Sequence, residues 1–289
     1  MCETGARSFK RSRRRMVRAV RRGVLYTVLV VVTATMLLPL LWMLSTSLKT
    51  YSETISGQLR WLPEGRLRWD NYAEVFRRVN FSLSYFNSTF VAVVVTLGQV
   101  TTSAMAGYAF SRLRWRGRDK VFLLYLATLM IPVTVTMLPN FLVLKYLNWL
   151  DTYKALIVPA MFTAYGTFLC RQYMMGLPRD LEEAAMMDGC GYWGIFVNVV
   201  VPMSTPALTT LAILSFMGTW GNFVWPFIVT FSEDLKVLPL TLYAFQSFMN
   251  IEHNLVMAAS FMMIVPMIVL FVVGQRFFVE GIRLGGVKG

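Results

Sequence analysis

Charged residues divide this chain into long apolar runs. Residues 23–48, 80–111, 121–144, 155–170, 189–232 and 253–275 contain no Asp, Glu, Lys or Arg. A helix needs roughly 20 apolar residues to cross a bilayer core. The fourth run is short, but residues 172–176 extend it past Arg171, whose aliphatic stem lets the charge reach the surface. The fifth is too long for one crossing, and residues 207–231 suffice. The pattern predicts an all-α membrane protein with six transmembrane helices.

The first part of that fifth run belongs to a different kind of segment, residues 177–206, closed by Pro178 at one end and by Pro202 and Pro206 at the other. Pro178 has no amide hydrogen and suits a helix start, and Asp180, Glu182 and Glu183 give the acidic first turn that the helix dipole favours. A short helix over 179–188 follows. Gly189 and Gly191 stop it, and a second helix over 192–200, rich in Trp193, Ile195, Phe196 and valines, ends before Pro202. Two short helices joined at an angle form an elbow at the membrane surface.

Composition agrees with a membrane protein: of 289 residues 56% are hydrophobic and 15% charged, against about a quarter charged in soluble domains. The net charge of +13 could suit nucleic acid, but the basic residues cluster beside the apolar runs and no nucleic-acid-binding signature is present. They report orientation instead. With residues 1–23 inside, inner segments carry 19 Lys and Arg and outer segments 9, so both termini and the elbow are expected in the cytoplasm. The first 23 residues form a basic arm that could meet anionic lipid headgroups. The apolar run after it exceeds a signal-peptide core and reads as a retained span.

Chemistry is sparse. There is no phosphate-binding G-x-x-x-x-G-K-[ST] loop, Cys2, Cys170 and Cys190 lack metal spacing, and the one histidine, His253, lies on the outer side. No enzyme activity, metal site or cofactor is expected. Gradient-driven carriers usually need ionisable groups within the membrane, and their absence from the charge-free runs disfavours a secondary carrier. Energy would have to arrive through the elbow.

Within the elbow, Glu183-Ala184-Ala185, then Asp188-Gly189, then Pro202 resemble the EAA loop of ABC importer permeases, which docks on a separate ATPase subunit. Further segments are similar to the sugar-permease branch typified by the maltose transporter's smaller membrane subunit. They are Thr46-Ser47-Leu48-Lys49, Trp69-Asp70-Asn71-Tyr72, Tyr85-Phe86-Asn87-Ser88, residues 106–113, Trp115-Arg116-Gly117-Arg118-Asp119, and the tail from Gln275 to Gly289. The likeness covers residues 37–289. Two departures stand out: Trp220-Gly221-Asn222-Phe223 lacks one polar group and an acid that relatives often carry there, and Cys190 stands where alanine or serine is commoner.

The resemblance implies a type I ABC importer permease fold: a six-helix domain over 24–280 with its coupling loop at about 177–206, and a cytoplasmic tail at 281–289. It implies ATPase contacts at Glu182, Glu183, Ala184, Ala185, Asp188 and Gly189, with tail contacts at Gly285, Gly286 and Lys288. Partners would be a second, non-identical permease, an ATPase dimer holding ATP and Mg2+, and an extracytoplasmic binding protein that delivers a sugar or oligosaccharide across a bacterial cytoplasmic membrane. Glycerol phosphate is the alternative solute. Trp220, Asn222, Trp225 and Gln99 are the candidate substrate-path residues, because amides and aromatic faces suit sugar hydroxyls and ring C–H groups. Ser103 and Gly107, four apart, are read instead as a small-residue face for helix packing.

Overall fold

The computed structural model describes the backbone of residues 3–58, 60–246 and 252–286, and side chains over 20–58, 60–246 and 252–275. Regular structure among these residues is helical. In order the helices are α1 (Glu3–Ser47), α2 (Tyr51–Ile55), α3 (Asp70–Arg78), α4 (Phe81–Ser111), α5 (Arg118–Ala127), α6 (Val133–Tyr146), α7 (Tyr153–Ile157) and α8 (Ala164–Met175). Then come α9 (Asp180–Met187), α10 (Tyr192–Ile195), α11 (Val201–Met203), α12 (Thr205–Trp220), α13 (Val224–Val229), α14 (Leu238–Gln246) and α15 (His253–Gly286).

Four stretches are long and apolar enough to cross a membrane: Val20–Ser47, Phe81–Ser111 and His253–Gln275, each one helix, and Tyr153–Met175, which is interrupted at the extended Phe162 and Thr163. Two further stretches qualify only as bent pairs. Residues 118–130 and 133–146 meet at 99°, so the expected straight span 121–144 is broken. Pro132 is the cause: it cannot donate a helical hydrogen bond, and it holds Ile131 in an extended conformation (φ −84°, ψ 117°). Residues 192–203 and 205–220 meet at 76°. That bend lies at Ser204, between the elbow and the expected span 207–231; the span itself is interrupted further on, where α12 stops at Trp220 and α13 resumes only at Val224. Sixteen residues rise about 24 Å, short of a bilayer core.

The chain divides into two compact units, residues 1–74 with 252–261 and residues 75–251 with 262–289. In the first, residues 20–39 of α1 are exposed throughout, while Thr46, Ser47, Leu48 and Lys49 are buried. The Trp69–Tyr72 motif holds that end. Asn71 Nδ2 donates to the Ser47 and Lys49 carbonyls at 2.8 and 2.9 Å, Tyr72 Oη meets Ser47 Oγ at 2.7 Å, and Asn254 Nδ2 donates to Asn71 Oδ1 at 3.2 Å. Asparagine serves here because one amide satisfies two carbonyls freed where α1 ends.

In the second unit α4 is the axis. It buries residues on two sides, Ala104 and Tyr108 in a cluster with Cys170, Met174, Ile195, Val200 and Leu211, and Val91 and Val95 in another with Leu144, Leu156, Val229 and Leu240. Close approach of α4 and α8 depends on small residues. A Cβ on Gly107 would lie 2.6 Å from Cys170 Cβ, and one on Gly166 would lie 2.4 Å from Ser103 Oγ. The expected packing role of Ser103 and Gly107 is met. At the other end of α4, Asn87 accepts from Tyr153 Oη (2.6 Å) and donates to the carbonyls of Asp234 and Lys236, and Asp151 accepts from Phe231 N, Ser232 N and Ser232 Oγ.

Candidate functional site

The elbow begins where α8 ends. Leu177 and Pro178 turn the chain, α9 runs eight residues, and its C-terminus closes in a Schellman motif. Cys190 N–H bonds to the Ala185 carbonyl (2.9 Å) and Gly189 N–H to that of Met186 (3.0 Å). Gly189 has φ +82° and open space where a Cβ would stand, so glycine is required there by backbone conformation and not by crowding. The second arm differs from the expected helix over 192–200. One α-turn passes into a π-turn over Phe196–Val200, in which Val201 N–H reaches back to Phe196, and the helix continues through Pro202 to Met203. The widened turn accommodates a proline that a regular α-helix would reject.

The two adjacent glutamates of α9 differ in burial, Glu182 being buried and Glu183 exposed. Glu182 is turned inward onto Arg112, just past α4, with Oε1 3.0 Å from Nε, and the two side chains are 10% and 3% exposed. Arg112 Nη2 also donates to the Leu177 carbonyl at 2.7 Å. The contact is one of charge, since Nε–H has no aligned acceptor. Burial draws the Arg112 pKa down, and Glu182 opposes that shift. Tyr108 Oη donates to the Tyr192 carbonyl at 3.3 Å, so α4 grips both arms of the elbow. In the sequence Arg112 stood within the family-like segment 106–113 and among other arginines, with nothing to pair it with Glu182.

Glu183, Ala184, Asp188 and Gly189 are exposed, and Ala185 is half-buried. They share that surface with Leu181, Met186, Met187, Tyr192 and Trp193, all exposed, Met187 by 87%. The exposed residues of the elbow thus mix carboxylates with large apolar side chains.

The candidate path residues divide. Gln99 and Asn222 line a cavity of about 250 Å³ with Ser88, Leu156, Ser215 and Thr219. Gln99 Nε2 donates to the Ala160 carbonyl (2.6 Å) and its Oε1 accepts from Ser215 Oγ (2.5 Å). Trp220 and Trp225 do not line it. Trp220 is 2% exposed, donates to the Met263 carbonyl at 3.0 Å and stacks on Phe216; Trp225 donates to the Ala155 carbonyl at 2.9 Å. Both indoles are occupied in packing. In the tail, Gly285 and Gly286 are helical, continuing α15, and Lys288 lies outside the described residues. Among the described residues no His, Cys, Asp and Glu cluster could hold a metal.

Residues 99–283 match the family model described as the binding-protein-dependent transport system inner membrane component. The chain is 38% identical over 224 residues to the arabinooligosaccharides transport system permease protein AraQ of Halalkalibacterium halodurans, covering 77% of this chain and 80% of the relative. It is 32% identical over 263 residues to the lactose transport system permease protein LacG of Rhizobium radiobacter, covering 91% and 95%. It is 33% identical over 222 residues to the sn-glycerol-3-phosphate transport system permease protein UgpE of Yersinia enterocolitica, covering 74% and 79%. A chain of the crystal structure of a bacterial ABC transporter importing the acidic polysaccharide alginate shares the fold, with TM-score 0.81 and 24% identity over 89% of this chain and 96% of that one. With its apolar helices, this chain belongs to the binding-protein-dependent transport system inner membrane components, as a multi-pass permease subunit of an ABC importer and not an enzyme.

Proposed function

We propose that this permease forms half of the pathway for a sugar or oligosaccharide, pairing with a second, non-identical permease above an ATPase dimer and receiving substrate from an external binding protein. Six spans are counted in this reading, namely the four long stretches, the bent pair 118–146 taken as one, and residues 207–231 beyond the elbow, with both termini and the elbow cytoplasmic; residues 1–23 are a basic arm and 281–289 a tail toward the ATPases. The relatives named for arabinooligosaccharides and lactose support the substrate class. A glycerol-phosphate relative keeps that solute as the second reading. The cavity favours the neutral solute: its lining is uncharged, whereas a phosphate recruits arginine or lysine.

The exposed carboxylate of Glu183, on a short helix that also exposes Leu181, Met186 and Met187, carries the coupling proposal. Glu183 would meet a basic residue of the ATPase, with Ala184 and Ala185 allowing close approach and Asp188-Gly189 fixing the turn. ATP and Mg2+ would be held by the ATPase, whose closure drags the elbow. The test is substrate-stimulated ATP hydrolysis and uptake by the co-expressed complex, with and without Glu183→Ala. Removing one partner of a desolvated charge pair costs on the order of 2 to 5 kcal/mol, so coupled activity should fall at least tenfold. Normal transport by the substituted complex would refute the coupling role. Stimulation by glycerol phosphate and not by oligosaccharides would overturn the substrate class.

A further inference from the structure

Beside the elbow, the turn between α4 and α5 gathers a second group of cations. Arg114, Arg118, Lys120 and Arg179 line an open cavity of about 550 Å³ together with Trp115, Gly117 and Asp119. Asp119 supplies the one carboxylate of the lining, and it is engaged: it meets Arg118 at 3.1 and 3.2 Å and Arg171 at 3.2 Å. Arg171 is held further by the Phe110 carbonyl (3.2 Å) and by the Phe122 ring, whose centroid is 4.1 Å from its Cζ. Arg118 also donates to the Leu113 carbonyl. Arg114, Lys120 and Arg179 are exposed, and the cavity carries an excess of positive charge that its own acid does not neutralise. Arg179 borders a neighbouring cavity too, which Glu182 and Glu183 line; Glu182 is already committed to Arg112.

Apolar surface starts where the charge stops. One residue past Lys120, α5 exposes Val121, Leu123 and Leu124, the two leucines by 70% and 73%, and Trp115 at the cavity is 43% exposed. A cationic cup beside an indole and a greasy helix face matches the two halves of an anionic phospholipid. Phosphate oxygens take charge-assisted hydrogen bonds from guanidinium groups, tryptophan suits the headgroup level, and acyl chains can lie along α5.

We infer that this cavity binds a phosphate-bearing anion, supplied as the headgroup of an anionic phospholipid, which seats the α4–α5 turn against the membrane next to the elbow. The leaflet involved rests on the orientation proposed above; binding itself depends on neither orientation nor transport. The test uses the purified co-expressed complex in neutral detergent, titrated with phosphatidylglycerol, phosphatidylcholine or inorganic phosphate, with bound lipid counted by native mass spectrometry and thermal protection measured in parallel. Arg114→Gln with Arg179→Gln should weaken phosphatidylglycerol binding about tenfold or more. Arg66→Gln with Arg68→Gln, which removes the same charge elsewhere, should leave it unchanged and so controls for general attraction, including that of the basic arm. Equal loss in both doubles, or equal binding of phosphatidylcholine, would overturn the site. Equal protection by inorganic phosphate alone would overturn the lipid as its source. Since no ATP hydrolysis is read, either failure leaves the transport reading standing.

Discussion

Replacing Glu182 by alanine tests whether α4 and the elbow move as one body. Glu182 and Arg112 are 10% and 3% exposed and their charges lie 3.0 Å apart. Truncating the carboxylate leaves a buried guanidinium with the Leu177 carbonyl as its remaining hydrogen-bond partner. Breaking one side of such a pair costs about 3 to 5 kcal/mol, largely the penalty of the stranded charge. That penalty should appear as easier release of α9 from α4. Since about 1.4 kcal/mol is tenfold in an equilibrium constant, amide exchange across residues 180–190 should speed by roughly a hundredfold or more in the purified complex. Arg112→Met with Glu182→Leu removes both charges and fills the space, and should recover most of the protection, because apolar replacement of a buried pair is often neutral. Coupled ATP hydrolysis should follow the same order. Unchanged exchange in Glu182→Ala would refute the clamp and leave Glu182 as a surface acid that happens to touch an arginine.

Further outcomes follow from other contacts. Gly107→Ala should destabilise the helix pair by about 1 to 3 kcal/mol, because its Cβ would press on Cys170 Cβ at 2.6 Å and on the Arg171 backbone at 3.0 Å. Gly218→Ala, with nothing within 4 Å, should be neutral or slightly stabilising; thermal unfolding in detergent compares the two, and equal effects would count against the close approach. Asp151 has its carboxyl pKa drawn down, first by the Phe231 backbone N–H and then by that of Ser232. A depressed pKa means the tie is fully present above the ordinary carboxylate range and is lost as pH falls through the folded value, so exchange at Phe231 and Ser232 should accelerate only below about pH 4. Asp151→Asn, which keeps an acceptor oxygen without titrating, should abolish that acid step.

What the sequence determined were features decided within a few residues. Apolar run length located the membrane helices because the bilayer imposes a minimum length. Gly189 stopped α9 because only glycine takes φ +82° without strain, and Ser103 with Gly107 gave a small face because four residues make one helical turn. Pro132 was equally visible, yet the 99° bend it permits depends on where α6 finds packing. Glu182 and Glu183 are adjacent and chemically identical; about 100° of helix rotation separates them, and only the approach of α4 sends one onto Arg112 and leaves the other outside. Trp220 is a substrate-path candidate by residue type, but only the approach of α15, distant in sequence, brings the Met263 carbonyl to its indole. Arg112, Arg114, Arg171 and Arg179 likewise look alike along the chain. Tertiary packing brought Arg112 to Glu182 and Arg171 to Asp119, each distant in sequence, and left Arg114 and Arg179 exposed, because pairing across that many residues is a property of distances that local sequence does not encode.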